Sequence, residues 1–282
     1  MRSLLTAALG LLLASPALAA EDAKVVWIAS GAPGGTYRDA YARNLQRELR
    51  GYEVFHRESS GSGENLDLLA DGDADIGFAQ ADIYAARLKQ SPQRFAGLVP
   101  LGKLADECVY IAHRKHGEVR ALAQLGESVG ERPARIAVGP ARSGMHGTWH
   151  YLTLLDPKLA GAEVLDGSGT LALNQLLVGA FDAVGWVTDP GNLEHKLLRA
   201  VHANDELQLM TLDDSALASS LPNGTQIYAI ESVAIDSSWR PKKLETVCTS
   251  AMLFARSGAD PELVSKLADL VSLHRNRIAP SR

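Results

Sequence analysis

Three glycine-rich turns contain the residue types with which a protein holds a small anion. Residues 31–37 (GAPGGTY), 59–65 (SSGSGEN) and 139–144 (GPARSG) each lie between a strand-like and a helix-like segment. The start of a helix offers unpaired backbone N–H groups and the positive end of the helix dipole, which favour an anion. Helix capping alone also selects Ser, Thr and Gly. Three such turns in one chain favour anion binding over capping alone.

The turns lack the motifs of nucleotide-binding proteins and hydrolases. Residues 139–144 have the spacing of a phosphate loop, but Met145 and His146 stand where Lys and Ser or Thr are required. The turn at 59–65 lacks the third glycine of the dinucleotide fingerprint. None of the three turns contains a G-x-S-x-G motif, and no catalytic triad is recognisable in the sequence. We therefore expect a binding protein that is not an enzyme and needs no cofactor.

Two pairs of histidines have spacings that can bind a metal ion. His146 and His150 are four residues apart on a predicted helix, and His113 lies close to His116. Neither pair has a cysteine or an acidic cluster beside it to complete a site. We expect no metal.

The turns belong to a regular alternation of strand-like and helix-like segments, which predicts an α/β protein. The first series has strands at 25–29, 53–56, 75–79 and 98–104 and helices at 37–49, 64–70 and 81–88. The second series has strands at 108–113, 135–138 and 183–187 and helices at 119–125, 148–155 and 171–177. A last strand at 247–255 and a helix at 261–274 follow a stretch, 207–230, without a clear pattern. Two series predict two similar lobes, the first completed by the final strand and helix.

The N-terminus has the features of a secretory signal peptide. Arg2 precedes a short apolar run at 4–13, and the small-residue sequence Ala17-Leu18-Ala19 follows. Removal of residues 1–19 would leave 263 residues with a net charge of −6. This modest acidity argues against nucleic acid as a partner. The only two cysteines, Cys108 and Cys248, form either a disulfide or two reduced core thiols.

The turns and their surroundings resemble the TAXI family, the solute-binding components of tripartite (TRAP) transporters. The resemblance lies in residues 34–37 (GGTY), 59–66 (SSGSGENL), 72–82 (GDADIGFAQAD), 139–144 and 179–183 (GAFDA) with Pro190. Arg38 stands where the family usually has a second tyrosine. The resemblance implies a type II periplasmic-binding fold, in which two α/β lobes joined by a hinge hold a ligand between them. It places 20–105 and 247–282 in lobe 1 and 106–246 in lobe 2.

Family ligands are carboxylates such as glutamate or 2-oxo acids, so the resemblance implies a small carboxylate-bearing solute. The expected ligand-binding residues are Gly35, Thr36, Tyr37, Ser59, Ser62, Asn65, Gln80, Asp82, Arg142, Ser143, Gly144, Trp186 and Asp189. Arg142 is the best candidate for a bidentate clamp on a carboxylate, although a solvated surface arginine fits the sequence nearly as well. Asp82 faces an amine or caps the next helix. Tyr37, Asn65 and Trp186 have packing or capping as alternatives.

The resemblance also implies a location, partners and a disulfide. We expect a periplasmic monomer that delivers its solute to TRAP membrane subunits, or else reports it to a membrane sensor. An enzyme on the same fold is a weaker alternative. In a bilobed fold of this type, the segments that contain Cys108 and Cys248 run side by side through the hinge. We therefore expect these two residues to form a disulfide.

Overall fold

The structure is a computed structural model that describes residues 24–220, 224 and 226–280. The signal peptide expected at 1–19 lies outside the described residues. Among the helices that are described, none has the length and apolar character needed to cross a membrane.

The strands include two long ones, β4 and β13, and a set of shorter ones before and between them. They are β1 (Lys24–Ala29), β2 (Tyr52–Arg57), β3 (Ile76–Gln80), β4 (Val99–Arg114), β5 (Ser128–Val129), β6 (Arg132–Pro133), β7 (Arg135–Ala137), β8 (Glu163–Leu165), β9 (Ala183–Thr188), β10 (Leu207–Leu209), β11 (Ser219–Ser220), β12 (Gln226–Ala234) and β13 (Lys243–Ala255).

The α-helices connect parallel strands or close the chain. They are α1 (Arg43–Glu48), α2 (Ser62–Asp71), α3 (Ala81–Gln90), α4 (Pro92–Phe95), α5 (Gly144–Leu155), α6 (Gly169–Leu177), α7 (Lys196–His202) and α8 (Pro261–His274). A π-helical turn, Tyr37–Ala42, leads into α1, and short 3-10 turns include Leu122–Gly126. The helix predicted at 119–125 is thus only this short turn, whereas the helix predicted at 261–274 is confirmed.

One large mixed sheet runs through the molecule in the order β2-β1-β3-β13-β4-β9-β7-β8. Strands β2, β1 and β3 are parallel on one side, and β8, β7 and β9 are parallel on the other. Between them, β13 pairs antiparallel with β3 and with β4, and β4 pairs antiparallel with β9. The sheet therefore has two parallel halves joined by two antiparallel strands, which confirms the predicted α/β fold.

Each half of the sheet has its own apolar layers. Strand β3 is buried along its whole length, as expected for a parallel strand covered on both faces, whereas β2 alternates as an edge strand does. Around β1 and β3, one core cluster includes Leu45 and Leu267 and another includes Leu66 and Phe95. Around β7 and β9, two further clusters include Trp149 and Tyr110. The domain boundaries given above remain a prediction.

Strand β4 corrects the prediction of two separate strands at 98–104 and 108–113. The acidic residues Asp106 and Glu107 suggest an interruption in the sequence, but the chain continues through them as one strand. Its hydrogen-bonding partner β13 keeps pairing along this stretch, with Thr249 opposite Glu107 and Ser250 opposite Asp106. The pairing has two register shifts, between Ala251 and Met252 and between Leu253 and Phe254, at each of which β4 has one extra residue.

Cys108 and Cys248 confirm the expected disulfide. The two residues are register partners in the antiparallel β4–β13 pair, and their sulfur atoms are bonded across a sequence separation of 140 residues. Cys108 also pairs with Thr188 of β9. The bond thus lies where the two long strands pass from one half of the sheet to the other.

We predict that replacing both cysteines by serine lowers the free energy of unfolding by roughly 4 kcal/mol, because a loop this long gains much entropy in the unfolded chain. Guanidinium unfolding of the oxidised protein and the double variant, both under non-reducing conditions, measures the difference. Reduced wild-type protein is the control and should unfold like the variant. Equal midpoints for all three samples would contradict a stabilising role for the bond.

Candidate functional site

A cavity of about 300 Å³ lies between the first and third glycine-rich turns, at the ends of strands from both halves of the sheet. Such a cavity suits a small molecule. The expected ligand-binding residues that line it are Gly35, Thr36, Tyr37, Ser62, Gln80, Ser143, Gly144 and Trp186. The structure thus brings together side chains that are distant in the sequence and that come from both predicted lobes.

The cavity lies at the N-termini of helices from opposite sides. Ser143 caps α5, since its Oγ accepts a hydrogen bond from the backbone N–H of His146 at 3.4 Å. Ser62 is the first residue of α2, preceded by Gly61 in a backbone conformation (φ 136°) that favours glycine. These two helices direct their positive ends toward the same space, which favours a negatively charged group there.

Gln80 and Ser62 start a chain of hydrogen bonds between the two halves. Ser62 Oγ donates to Gln80 Oε1 at 3.3 Å, and Gln80 Nε2 donates to Thr148 Oγ1 on α5 at 3.1 Å. Thr148 Oγ1 donates in turn to Asp82 Oδ2 at 2.7 Å. The wall of the cavity is therefore hydrogen-bonded across the interface between α3 and α5.

Asp82 does not line the cavity, although it is among the expected ligand-binding residues. Its buried carboxylate accepts hydrogen bonds from Thr148, from the Tyr228 hydroxyl at 2.7 Å and from the backbone N–H of Ile83 at 2.8 Å. Burial raises the pKa of this carboxyl, and these hydrogen bonds oppose the rise. Asp82 thus connects α3 with α5 and β12. The hydrogen bond that it accepts from the Ile83 N–H, in the first turn of α3, corresponds to the expectation that Asp82 caps this helix and does not face an amine.

Ser59, Asn65 and Asp189 also lie outside the lining of the cavity. Asn65 is fully buried, where its Nδ2 donates to the Phe78 carbonyl at 2.8 Å and its Oδ1 accepts from Ser59 Oγ at 2.5 Å. Ser59 and Asn65 thus support the conformation of the second turn from its buried side. Asp189 follows the end of β9, and its carbonyl accepts from the backbone N–H of Asn192 at 3.0 Å.

Arg142 corrects the expectation of a ligand clamp from the second lobe. It has a left-handed backbone (φ 67°), and its guanidinium lies 3.4 Å from Glu64 and 3.9 Å from Asp67, outside the cavity lining. Its carbonyl accepts a hydrogen bond from the backbone N–H of Gly63 at 3.2 Å. Arg142 therefore pairs with carboxylates of α2 and holds the second and third turns together.

Glycines let these two turns approach each other. A Cβ atom on Gly63 would lie 2.9 Å from the Arg142 carbonyl oxygen, and one on Gly61 would lie 3.1 Å from the Gly144 nitrogen. Such distances are too short for an alanine without displacement of the backbone. The contact between the two halves at this point therefore requires glycine.

Trp186 and Tyr37 form apolar walls of the cavity. Trp186 stacks between Tyr110 and His195, with ring centroids 5.7 Å and 6.1 Å away. Tyr37 packs against Phe78 and Tyr41 at 5.7 Å and 5.8 Å. Both residues line the cavity and also pack in the core, so ligand binding and core packing are compatible roles for each of them.

Two charged residues line the cavity that were not expected there from the sequence, Arg38 and Glu107. Arg38 Nη1 donates to Ser30 Oγ at 3.2 Å, and Nη2 lies 3.7 Å from Glu58. Arg38 is the only Lys or Arg among the described residues that line this cavity. Its position directly after the GGTY motif was the feature of the sequence that could have identified it as a cavity residue.

Glu107 is a buried carboxyl at the inner end of the cavity. It is 7% exposed and accepts a hydrogen bond from the Tyr37 hydroxyl at 3.3 Å. Burial, together with the negative charges of Asp189 and Asp82, raises its pKa to about 8, and the Tyr37 hydrogen bond opposes this only in part. Tyr37 is affected in the same way, because burial and the Glu107 charge raise its pKa well above the usual value. Glu107 is therefore largely protonated in the ligand-free protein at neutral pH.

We predict that Glu107→Gln stabilises the ligand-free protein at pH 8 but not at pH 4. The folded protein keeps the Glu107 proton up to a pKa of about 8, whereas the unfolded chain releases it near 4.5. Between these two values, the free energy of unfolding therefore falls as the pH rises, and above pH 8 this loss is constant. Replacing Glu107 by glutamine removes the loss and should raise the free energy of unfolding by roughly 3–5 kcal/mol at pH 8. Urea unfolding at both pH values tests this, and an equal effect at both would contradict it.

Comparisons with known proteins agree with this architecture. Residues 28–272 match the NMT1-like family. The sequence has no significant similarity to a curated protein. Among solved structures, the substrate-binding protein of an amino acid ABC transporter is similar at 12% identity, with a TM-score of 0.51 over 90% of this chain and 96% of that chain.

Two further structures are similar at the level of the fold. A putative L-cystine ABC transporter protein from Listeria monocytogenes is 13% identical, with a TM-score of 0.51 over 88% of this chain and 89% of that chain. The GluR0 ligand-binding core from Nostoc punctiforme, in complex with L-glutamate, is 14% identical, with a TM-score of 0.50 over 88% and 93%. The chain belongs to the NMT1-like family and has the fold of type II periplasmic solute-binding proteins.

Proposed function

We propose that the protein is an extracytoplasmic solute-binding protein that captures a small carboxylate-bearing solute for a TRAP-type transporter. The observation that carries this proposal is the cavity between the helix N-termini of the two halves, with Arg38 in its lining. A carboxylate is the chemical group that these features together accommodate, because each of them favours a small anion with several oxygen acceptors.

The donors of the site surround the space from two sides. Thr36 and Arg38 come from the first half, and Ser143 comes from the second. A carboxylate bound between them would accept hydrogen bonds from both halves at once. The ligand would then stabilise the arrangement in which the halves are in contact, as in proteins that close around a ligand by a hinge motion.

The contacts outside the cavity fit such a closing motion. The second and third turns meet through a backbone hydrogen bond from Gly63 to Arg142 and a hydrogen bond from Ser60 Oγ to the Ala141 carbonyl at 3.4 Å. Ion pairs of Arg142, whose side chain is half exposed, add to them. Partly exposed ion pairs contribute little to stability. The contact can therefore form and break at low cost, whereas the disulfide-linked strands β4 and β13 keep the halves connected.

The proposed location and partner follow from the sequence. The secretory signal at 1–19 supports export to the periplasm. The TAXI-like motifs at 34–37, 59–66 and 72–82 support a TRAP-type membrane partner. No residue arrangement that was recognised supports turnover of the solute, so we propose binding and delivery without catalysis.

We predict that Arg38→Gln weakens binding of the carboxylate solute by tenfold or more, since a charge-assisted hydrogen bond contributes about 1.5–3 kcal/mol. A thermal-shift screen of dicarboxylates, amino acids and 2-oxo acids identifies a ligand, because a ligand that binds only the folded state raises Tm. Calorimetry then compares affinities. Arg142→Gln is the matched control and should lose much less, since Arg142 does not line the cavity. No hit in the screen, or a larger loss for Arg142→Gln, would contradict the proposal.

A further inference from the structure

We propose that Glu107 is a specificity-determining residue whose carboxylate binds an ammonium group of the solute. The cleft would then select a ligand with both a carboxylate and a protonated amine, such as an α-amino acid, over a 2-oxo acid or a dicarboxylate of the same size. This inference rests on the proposed function and narrows it.

The position of Glu107 is the first argument. Its side chain lines the same cavity as Arg38, Thr36 and Ser143, yet it is nine-tenths buried. It comes from the middle of β4, next to the disulfide, so its backbone is fixed by pairing with β13. The group is therefore held rigidly at one end of the cavity.

The absence of a cationic partner is the second argument. Among the residues described here, no Lys, Arg or His side chain forms an ion pair with Glu107, whose hydrogen bond comes from the neutral Tyr37 hydroxyl. The charges that raise its pKa are those of two further acids, Asp189 and Asp82, while Arg38 pairs with Glu58. A buried carboxyl without a counter-ion costs stability, and such groups in clefts are characteristic of functional sites.

The chemistry of the cavity determines which counter-ion fits. A metal ion requires several oxygen, nitrogen or sulfur ligands. In the described part of the chain, Glu107 does not belong to any group of three potential ligands within 4.8 Å of one another. An ammonium group needs only a carboxylate and a few neutral acceptors. The donor-rich helix starts and Arg38 would then bind the carboxylate of the same ligand.

Binding of an ammonium group has a consequence for protons. Glu107 is mostly protonated in the free protein at pH 7, because its pKa is raised to about 8. A bound ammonium favours the ionised carboxylate, so the carboxyl proton leaves to the buffer when the ligand binds. A 2-oxo acid brings no positive charge and leaves Glu107 protonated. Proton release therefore distinguishes the two ligand classes independently of affinity.

The test uses the mature, oxidised protein and matched pairs of probes. Calorimetry with L-glutamate and 2-oxoglutarate, L-aspartate and oxaloacetate, and L-alanine and pyruvate gives affinities, and buffers of different ionisation enthalpy give the protons released. We expect the best amino acid to bind about tenfold or more tightly than its 2-oxo counterpart, with release of about one proton at pH 7. Glu107→Gln should abolish the preference and the proton release. Glu231→Gln, a half-buried glutamate of β12 outside the cavity, is the control and should keep both.

The outcomes separate this inference from the proposed function. Binding of 2-oxo acids or dicarboxylates in preference to amino acids would overturn the role of Glu107 and leave the solute-binding function intact. Unchanged amino acid affinity in Glu107→Gln would do the same. Should the variant not fold, amino acids that bind the wild type no more tightly than their 2-oxo counterparts are sufficient to reject the inference. If no probe of either class binds, both proposals fail.

Discussion

The pairing of β4 with β13 is the interaction on which the rest of the structure depends. Both strands extend through both halves of the sheet. The parallel strands of one half are added next to β13, and those of the other half are added next to β4. The disulfide between Cys108 and Cys248 fixes the register at the crossing point. A slip of β4 by one residue would exchange the two faces of that strand and remove Glu107 from the cavity. The geometry of the site is thus set by a long-range strand pairing that is present before any ligand binds.

Two kinds of contact join the halves beyond this pair. One is buried: Asp82 accepts hydrogen bonds from Thr148 and Tyr228, so α3, α5 and β12 meet at one carboxylate. The other is exposed and weak, between the second and third turns around Gly63 and Arg142. The cavity lies between these regions. We infer that the end of the site where Glu107 lies is rigid and that the edge beside the second and third turns opens for the solute.

Much of the fold was predictable, because strand–turn–helix units and the final helix have strong local patterns. The disulfide followed from the family resemblance rather than from local signals. The continuity of β4 was not predictable, since the acidic residues Asp106 and Glu107 suggest a break unless the pairing with β13 is known. Arg142 illustrates a second limit: its left-handed backbone, which directs the side chain to α2, depends on the neighbouring turn. Glu107 was missed because its exposure to the cavity is a property of the assembled sheet.

Native mass spectrometry of the protein isolated from the periplasm of its own organism tests the central claim most directly. We expect a complex of one protein with one small molecule, which denaturation releases as a carboxylate-bearing solute. We also expect the protein to lack the first 19 residues, because these have the features of a signal peptide that is removed on export. A protein that remains free of ligand and binds no carboxylate when one is added, or that releases a chemically altered solute, would contradict the account.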